Sequence, residues 1–481
     1  MRIAAVQRII GLLLALYSVT LIPPILVSLW YADDQTAVFV TTMAVWAGLG
    51  LLLWLPVRHR QEELRIRDGF LVVALYWSVL GLAGAIPFWY GGFLDFTAAV
   101  FESVSGFTTT GATNIVGIDD LPRSILYYRQ QMQWLGGLGV VVLAVAVLPM
   151  LGVGGMQLYR AETSRVAQED KLAPRIIDTA RVLWILYLSL TVLCAVAYWL
   201  AGMTPFDAIG HSFTTIATAG YSTHDESIGF YNSAAIETIA IVFMFLGALN
   251  FALHFVVWRS RNPLAYFKNP EVRFFAAIIL GAALLVTAVL TLTATYDSLT
   301  ESLRKALFQV VSVITTTGYG TATFAEWPLF VPFLLITLSF IGGCAGSTAG
   351  GIKVVRIMLL LKQGGREIHN LVHPRAIYPI KIGGKPVPEE VVKSVWGFYS
   401  FYMFAFFILV MAMMGTGLDL ESAIGAVVAS FNLLGPGLGE VASNFATVGD
   451  TTKWIAIFSM ILGRLEIFTL LVIFTFVFWR G

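Results

Sequence analysis

The sequence predicts an all-α polytopic membrane protein. Two transmembrane helices precede four fused repeats of helix, short re-entrant helix, polar turn and helix, with fourfold pseudosymmetry. Three observations predict it. Of 481 residues, 58% are hydrophobic and only 12% charged, where ~25% charged is usual for a soluble domain. Uninterrupted apolar runs approach or pass the ~20 residues a helix needs to cross a bilayer. The same column of residue types also returns four times around four glycines.

The elements follow in order. Ile9–Tyr31 and Ala37–Val57 are the two extra helices, within residues 1–67. The basic start of the first resembles a secretory signal, but its apolar run continues to Trp30 with no A-x-A site to close it. Repeat one occupies 68–160, repeat two 161–260, repeat three 261–365 and repeat four 366–481. Phe70–Trp89, Ile125–Val153 and Leu183–Ala201 are its clearest further runs in the first half. Basic residues collect in alternate loops: Arg58, Arg60, Arg65 and Arg67, then Arg160, Arg165, Lys171, Arg175 and Arg181. Arg259, Arg261, Lys268 and Arg273 follow, then Lys362, Arg366, Arg375, Lys381, Lys385 and Lys393. The intervening loops are acidic or nearly neutral, so both termini belong to the cytoplasmic side.

The repeats emerge when Gly111, Gly220, Gly318 and Gly435 are aligned, at spacings of 109, 98 and 117 residues. Twelve positions earlier stand Ala99, Ala208, Ala306 and Ala423. Six earlier the side chain is small (Ser105, Thr214, Ser312, Ala429), and four earlier large and apolar (Phe107, Ile216, Ile314, Phe431). A glycine also recurs downstream, at Gly136, Gly247, Gly342 and Gly463. The short apolar segment before each turn, such as "DFTAAVFESVSGF", is too short to span and fits a re-entrant helix. Helix–pore helix–filter–helix is the unit of tetrameric cation channels, here fused four times in one chain.

Irregular backbone at membrane depth is tolerated only when buried in protein or lining water. Glycine lets the backbone turn its carbonyls inward, and threonine hydroxyls add oxygens and anchor the turn. Four such turns around an axis give oxygen rings that replace the hydration shell of a monovalent cation. Close helix packing through small residues is the competing reading of any one stretch, and the four aligned copies weigh against it.

"SGFTTTGAT", "SVITTTGYGT", "FIGGCAGSTAGGIKVVRIMLLLKQG", "FNLLGPGLG" and "GRLEIFTLLVIFTFVFWR" strongly resemble the TrkH family of bacterial potassium uptake subunits. That family lies within the Trk, Ktr and HKT superfamily. The resemblance extends to "LGVGGMQLYRAE" and "LVHPRAIYPIKIGG", and the two extra helices resemble TrkH rather than its shorter KtrB relatives. It implies a potassium filter lined by Thr108, Thr109, Thr110 and Gly111; Ala217, Thr218, Ala219 and Gly220; Thr315, Thr316, Thr317 and Gly318; and Asn432, Leu433, Leu434 and Gly435. Only repeats one and three carry T-T-T-G, and none carries the T-V-G-Y-G of selective potassium channels. The resemblance also implies a bacterial inner-membrane homodimer on a ring of cytosolic TrkA-type subunits, which bind NAD or ATP/ADP.

The helix after the third turn is expected over Pro328–Ile341, broken by "GGCAGSTAGG" and resumed over Ile352–Leu361. Each glycine costs a helix ~1 kcal/mol relative to alanine, so this stretch predicts a non-helical loop beneath the filter. The resemblance makes it the gate: Gly343, Cys344, Ala345, Gly346, Ser347, Thr348, Ala349, Gly350 and Gly351. Arg464 lies inside the last apolar helix, where an unpaired charge costs ~3 kcal/mol or more. It is expected to face the pore, oppose cations and hold the loop by bonds to its carbonyls; a structural ion pair is the alternative. Glu102, His211, Gln309 and Ala426 share one column and are expected to anchor pore helices, with proton relay as the alternative. His254 is expected to be a packed helix histidine.

Other functions are excluded by what the chain lacks. Two cysteines in separate apolar segments support neither a disulfide framework nor a zinc site. No phosphate-loop motif is present, so no nucleotide is expected to bind this chain; no nucleic-acid partner is expected either, though the net charge of +1 itself says nothing about one. No catalytic constellation appears, so the chain is not expected to be an enzyme. Potassium is expected as the transported ion in the lipid bilayer, driven by membrane potential at ~2.3 kcal/mol per charge per 100 mV. A proton- or sodium-coupled symporter is the alternative. Such transporters commonly use inverted repeats, whereas these four run in parallel.

Overall fold

Ile3–Val19 and Thr36–Trp54 cross with their backbones in contact. A Cβ on Gly11 would lie 2.7 Å from the Trp54 nitrogen, and one on Gly50 2.6 Å from the Ala15 nitrogen. Small residues permit such close approach where lipid offers helices no hydrophobic drive to associate. The first helix continues, after a break at Thr20–Leu21, as Ile22–Tyr31. Its prolines fall in the first turn of that second piece, where an N–H is not needed. This is a computed structural model, and it describes residues 3–60, 66–142 and 176–480.

Each repeat starts on a long helix: Ile66–Gly84, Ile176–Leu200, Pro270–Leu292 and Glu389–Met414. A short helix follows: Phe96–Phe107, Pro205–Ile216, Leu299–Ile314 and Leu420–Phe431. At ~1.5 Å per residue these 12- to 16-residue helices are ~18–24 Å long, too short to cross a ~30 Å hydrocarbon layer. Three carry side-chain N-caps, from Asp95 to Ala98 (2.8 Å), Thr204 to Asp207 (3.2 Å) and Ser298 to Glu301 (3.1 Å). The returning helices start at Arg123, Ala234, Val331 and Asp450.

The four repeats close on themselves. The returning helix of repeat one packs on the short helix of repeat two, that of two on three, three on four, and four on one. Among the described residues, six helices are long and apolar enough to cross a membrane, and two bent pairs add to them.

Several expectations need correction in detail. The returning helices of repeats two, three and four are all broken, not the third alone. Ala234–Gly247 turns by 99° into Phe251–Ser260, and Asp450–Arg464 by 106° into Phe468–Phe474. In repeat three the helix is Val331–Ser339 and resumes at Val354–Val372, leaving a longer interruption than expected. Arg464 therefore ends a helix rather than lying inside one, and Glu466 and Ile467 beyond it hold positive φ of 52° and 47°. A two-residue hairpin pairs Lys381–Ile382 with Lys385–Pro386 around Gly383–Gly384, an addition to the expected all-α fold. Arg65, Arg160, Arg165, Lys171 and Arg175, with "LGVGGMQLYRAE" and the end of the expected Ile125–Val153 run, lie outside the described residues.

Candidate functional site

The four turns have one backbone geometry. Two positions before the glycine φ is positive in each: Thr109 57°, Thr218 49°, Thr316 54° and Leu433 62°. The glycines follow at 81°, 81°, 80° and 93°. A non-glycine residue in this region costs roughly 1–2 kcal/mol, so four at one position mark a conformation imposed by the surroundings. The same hydrogen bond closes each turn, from the residue before the glycine to the carbonyl six before it. Thr110 reaches Ser105 at 2.9 Å, Ala219 Thr214 at 2.9 Å, Thr317 Ser312 at 2.8 Å and Leu434 Ala429 at 3.0 Å. That bond explains the column of small residues, whose carbonyls the turn folds over.

The turns also meet in a ring. A Cβ on Gly111 would lie 2.1 Å from the Ala219 oxygen, on Gly220 2.0 Å from that of Thr317, and on Gly318 2.1 Å from that of Leu434. One on Gly435 would lie 2.9 Å from the Thr110 oxygen and close the circle. The four turns named from the sequence thus contact one another in a closed circle, each glycine against the carbonyl of the residue before the next turn's glycine.

The threonine hydroxyls brace the turns. Thr108 Oγ1 donates to the Val104 carbonyl at 2.7 Å and pairs with Thr110 Oγ1; Thr315 repeats this with Val311 and Thr317. These four hydroxyls are engaged within their own turns, whereas Thr109 Oγ1 is buried without a hydrogen-bond partner among the described residues.

Glu102, His211 and Gln309 tie the first three short helices to the chain leaving their turns, a bond that Ala426 in the fourth cannot make. Glu102 accepts from the Asn114 N–H at 2.9 Å, His211 Nε2 pairs with Ser222 Oγ at 3.0 Å, and Gln309 donates to the Ala322 carbonyl at 2.9 Å. His211 Nδ1 also pairs with the Asp207 carbonyl at 2.9 Å, so both ring nitrogens are occupied. His254 is packed likewise, between the Tyr266 hydroxyl and the Leu246 carbonyl.

Sequence reasoning missed Arg129. Fully buried, it donates from Nε to Glu102 at 2.9 Å, from Nη1 to the Ser222 carbonyl at 3.3 Å, and lies 4.3 Å from the Tyr221 ring centroid. Tyr221 in turn donates to the Glu102 and Ala112 carbonyls. This network ties the first turn to the second. Nothing in the repeat columns marks Arg129, whose partner is 27 residues away. Arg129→Met leaves the Glu102 carboxylate buried without its cation, at an expected cost of ~3–5 kcal/mol. A thermal melt in detergent reads this as a marked fall in the unfolding temperature.

A second link joins the loops beyond the turns. His224 Nδ1 donates to Asp119 at 2.5 Å, its Nε2 lies 3.8 Å from Asp207, and its ring stacks on Phe230 at 3.6 Å. Burial pushes His224 down, but hydrogen bonds and charges of Asp207 and Asp119 outweigh it and raise the imidazole above its ordinary value. A raised histidine contributes stability that is full below the unfolded value of about 6.5 and fades as pH rises through the folded value. The unfolding temperature should therefore fall from pH 6 into the alkaline range by more in the wild type than in His224→Gln. Equal slopes would refute the link.

The loop that interrupts the returning helix of repeat three lies against the turns. Thr348 Oγ1 pairs with Thr218 Oγ1 at 2.9 Å, and the Gly350 N–H donates to Thr316 Oγ1 at 2.7 Å. A Cβ on Gly350 would lie 2.3 Å from the Asn432 oxygen, so only glycine fits there. The loop is also zipped to the break in repeat two: Cys344 N–H donates to the Ala248 carbonyl at 2.8 Å, and Phe251 N–H to that of Gly346 at 3.1 Å. Glu271 accepts from the Ala345 N–H at 2.9 Å. Arg464 Nη1 donates to the Thr348 carbonyl at 3.0 Å, and its guanidinium lies 5.6 Å from the Trp77 ring centroid. Its Nε and Nη2 are buried without hydrogen-bond partners among the described residues. Glu466 pairs instead with Arg356 at 2.5 Å, because the chain has left the helix that ends at Arg464. Lys353, which the sequence did not single out, holds a positive φ of 86° and donates to the Ala349 carbonyl.

Four glycine turns that meet in a ring, with a loop bonded against them, within a set of apolar helices long enough to cross a membrane, place the chain among polytopic helical membrane proteins. The TrkH family, described as a cation transport protein, matches residues 35–478, and the chain belongs to that family. It is 53% identical to the Trk system potassium uptake protein TrkH of Vibrio parahaemolyticus, over 100% of both chains. It is 51% identical to the protein of that name from Escherichia coli K12, and 41% to that organism's TrkG, covering 100% and 99% of them. The crystal structure of the potassium transporter TrkH from Vibrio parahaemolyticus superposes with a TM-score of 0.93 at 52% identity, covering 100% of both chains. The family is one of transport proteins, not of enzymes.

Proposed function

We propose that this chain is a channel-like subunit for potassium uptake across the bacterial inner membrane. Potassium passes through the ring formed by Thr108–Gly111, Ala217–Gly220, Thr315–Gly318 and Asn432–Gly435, the four pore repeats following two N-terminal helices. The observation that carries the reading is the closed circle in which each turn glycine abuts the carbonyl of the next turn. Rings of backbone carbonyls substitute for the hydration shell of a monovalent cation. The names of the relatives, Trk system potassium uptake proteins, support potassium as the ion.

Gly343–Gly351 acts as the gate and Arg464 as its positive latch. Their hydrogen bonds to the turns and to each other support this, since a loop held by side chains can be released as a unit. Both termini and the basic loops face the cytoplasm. The chain works as a homodimer, and nucleotide control resides in a TrkA-type cytosolic subunit that binds NAD or ATP/ADP. The symporter alternative needs a titrating relay near the pathway, and the saturated bonding of Glu102 and His211 counts against it.

The test is rubidium flux into potassium-loaded liposomes containing this chain alone, with sodium as competitor and with or without a pH gradient. Flux that prefers rubidium and ignores the pH gradient is expected; uphill flux driven by protons would overturn the channel reading.

A further inference from the structure

A cavity of about 480 Å³ lies between the first helix, the helix Ile66–Gly84 and the returning helix of repeat one, open along one side. Leu13 and Leu16, Val72 and Trp77, Leu138 and Phe107 are among its walls, and Leu16, 58% exposed, stands at its rim. The lining is almost wholly apolar, and its few polar groups include Tyr17 and Thr20, whose hydroxyls are hydrogen-bonded to Tyr128 and to the Tyr17 carbonyl. Water fills a site only where about two to four polar partners receive it, so this lining selects an apolar occupant.

Shape narrows the choice. Along Ile66–Gly84 the wall runs from Gly69 to Leu80, which at the helical rise is ~17 Å. One leaflet of a ~30 Å hydrocarbon layer is about 15 Å thick. Gly69 lies two residues beyond Arg67, at the end of its helix that follows the basic segment in the chain, and the far end reaches Phe107, the last residue of the first short helix. The groove is thus as long as one acyl chain and lies where a chain from the basic-side leaflet would lie.

We propose that this cavity takes one acyl chain of a cytoplasmic-leaflet phospholipid, and that the bound chain tunes the gate through Trp77. The contact is direct: Trp77 is 1% exposed, lines the cavity and carries the Arg464 guanidinium 5.6 Å from its ring centroid. Arg464 in turn holds the Thr348 carbonyl of the loop. A chain that shifts the indole shifts the arginine and with it the loop; this second half rests on the proposed gate and orientation.

The experiment reconstitutes the full chain in phosphatidylethanolamine–phosphatidylglycerol vesicles doped with a phospholipid carrying a diazirine at its acyl terminus. After photolysis, adducts are mapped by peptide mass spectrometry. They are expected on the cavity walls from Gly69 to Leu80 and from Leu135 to Gly139. Leu138→Trp and, independently, Leu13→Trp fill the groove from opposite sides; by the usual cost of overpacking they should lower the adduct yield there about tenfold. Adducts confined to other lipid-facing surfaces, or unchanged in both variants, would overturn the site. Rubidium flux separates the second half. Exchanging straight for branched acyl chains should change wild-type flux, and Arg464→Ala should abolish that dependence while leaving the adducts in place. Cavity adducts with lipid-independent wild-type flux would refute the link to the gate and leave the lipid site standing.

Discussion

Arg464→Ala is expected to raise passive rubidium flux through reconstituted vesicles at least about fivefold, with Arg464→Lys remaining near the wild type. A fixed positive charge ~4 Å from a passing cation costs it about 1 kcal/mol in bulk water and about 4 kcal/mol at an effective dielectric of 20. Relief of that barrier is a factor between about fivefold and several hundredfold. The hydrogen bond from Nη1 to the Thr348 carbonyl is lost with the same substitution, so the loop loses its hold on the end of that helix. Lysine keeps the charge but not the planar donor, which separates the two contributions. Flux in the alanine variant at or below the wild type would remove Arg464 from the gate.

The second large effect belongs to the turn glycines, and it is graded. Alanine at Gly111, Gly220 or Gly318 places a methyl group 2.0–2.1 Å from a backbone oxygen of the neighbouring turn, at a φ of about 80°. No side-chain rotation relieves contact with backbone, so the ring must open, and selective flux should fall to background. Gly435 has a looser junction, with its nearest oxygen 2.9 Å from the added carbon. Gly435→Ala should therefore keep measurable flux with a reduced preference for rubidium over sodium. Equal loss at all four positions would show that the junctions are not the controlling contacts.

The repeat was legible because its constraint is local and recurs. Each turn needs a glycine, a small residue six earlier whose carbonyl closes it, and a large apolar side chain four earlier, and those needs print columns in the sequence. The downstream glycines have the same kind of cause. A Cβ on Gly136, Gly247 or Gly463 would strike the carbonyl ending its own short helix, that of Phe107, Ile216 or Phe431. Gly342 breaks the pattern: its Cβ would meet the Gly350 oxygen instead, because the third helix has already given way to the loop.

What stayed hidden depends on pairs far apart in the chain. Arg129 finds Glu102, and His224 finds Asp119 across 105 residues, with no spacing rule to announce either. The breaks at Ala248–Asn250 and after Arg464 lie in apolar helices that composition would leave intact. Their cause is tertiary: the loop takes the Ala248 carbonyl and Glu466 takes Arg356. The threonines were legible as turn residues, but which carbonyl each hydroxyl reaches was not, since that is settled by the nearest acceptor rather than by residue type.

An ion held by the ring of four turns should be directly visible. Anomalous diffraction from crystals of the protein grown in thallium or rubidium tests this. A peak is expected on the axis enclosed by the turns ending at Gly111, Gly220, Gly318 and Gly435, lost when sodium replaces the heavier ion. Peaks absent from that axis and present instead beside Glu102, Asp207 or another carboxylate would contradict it.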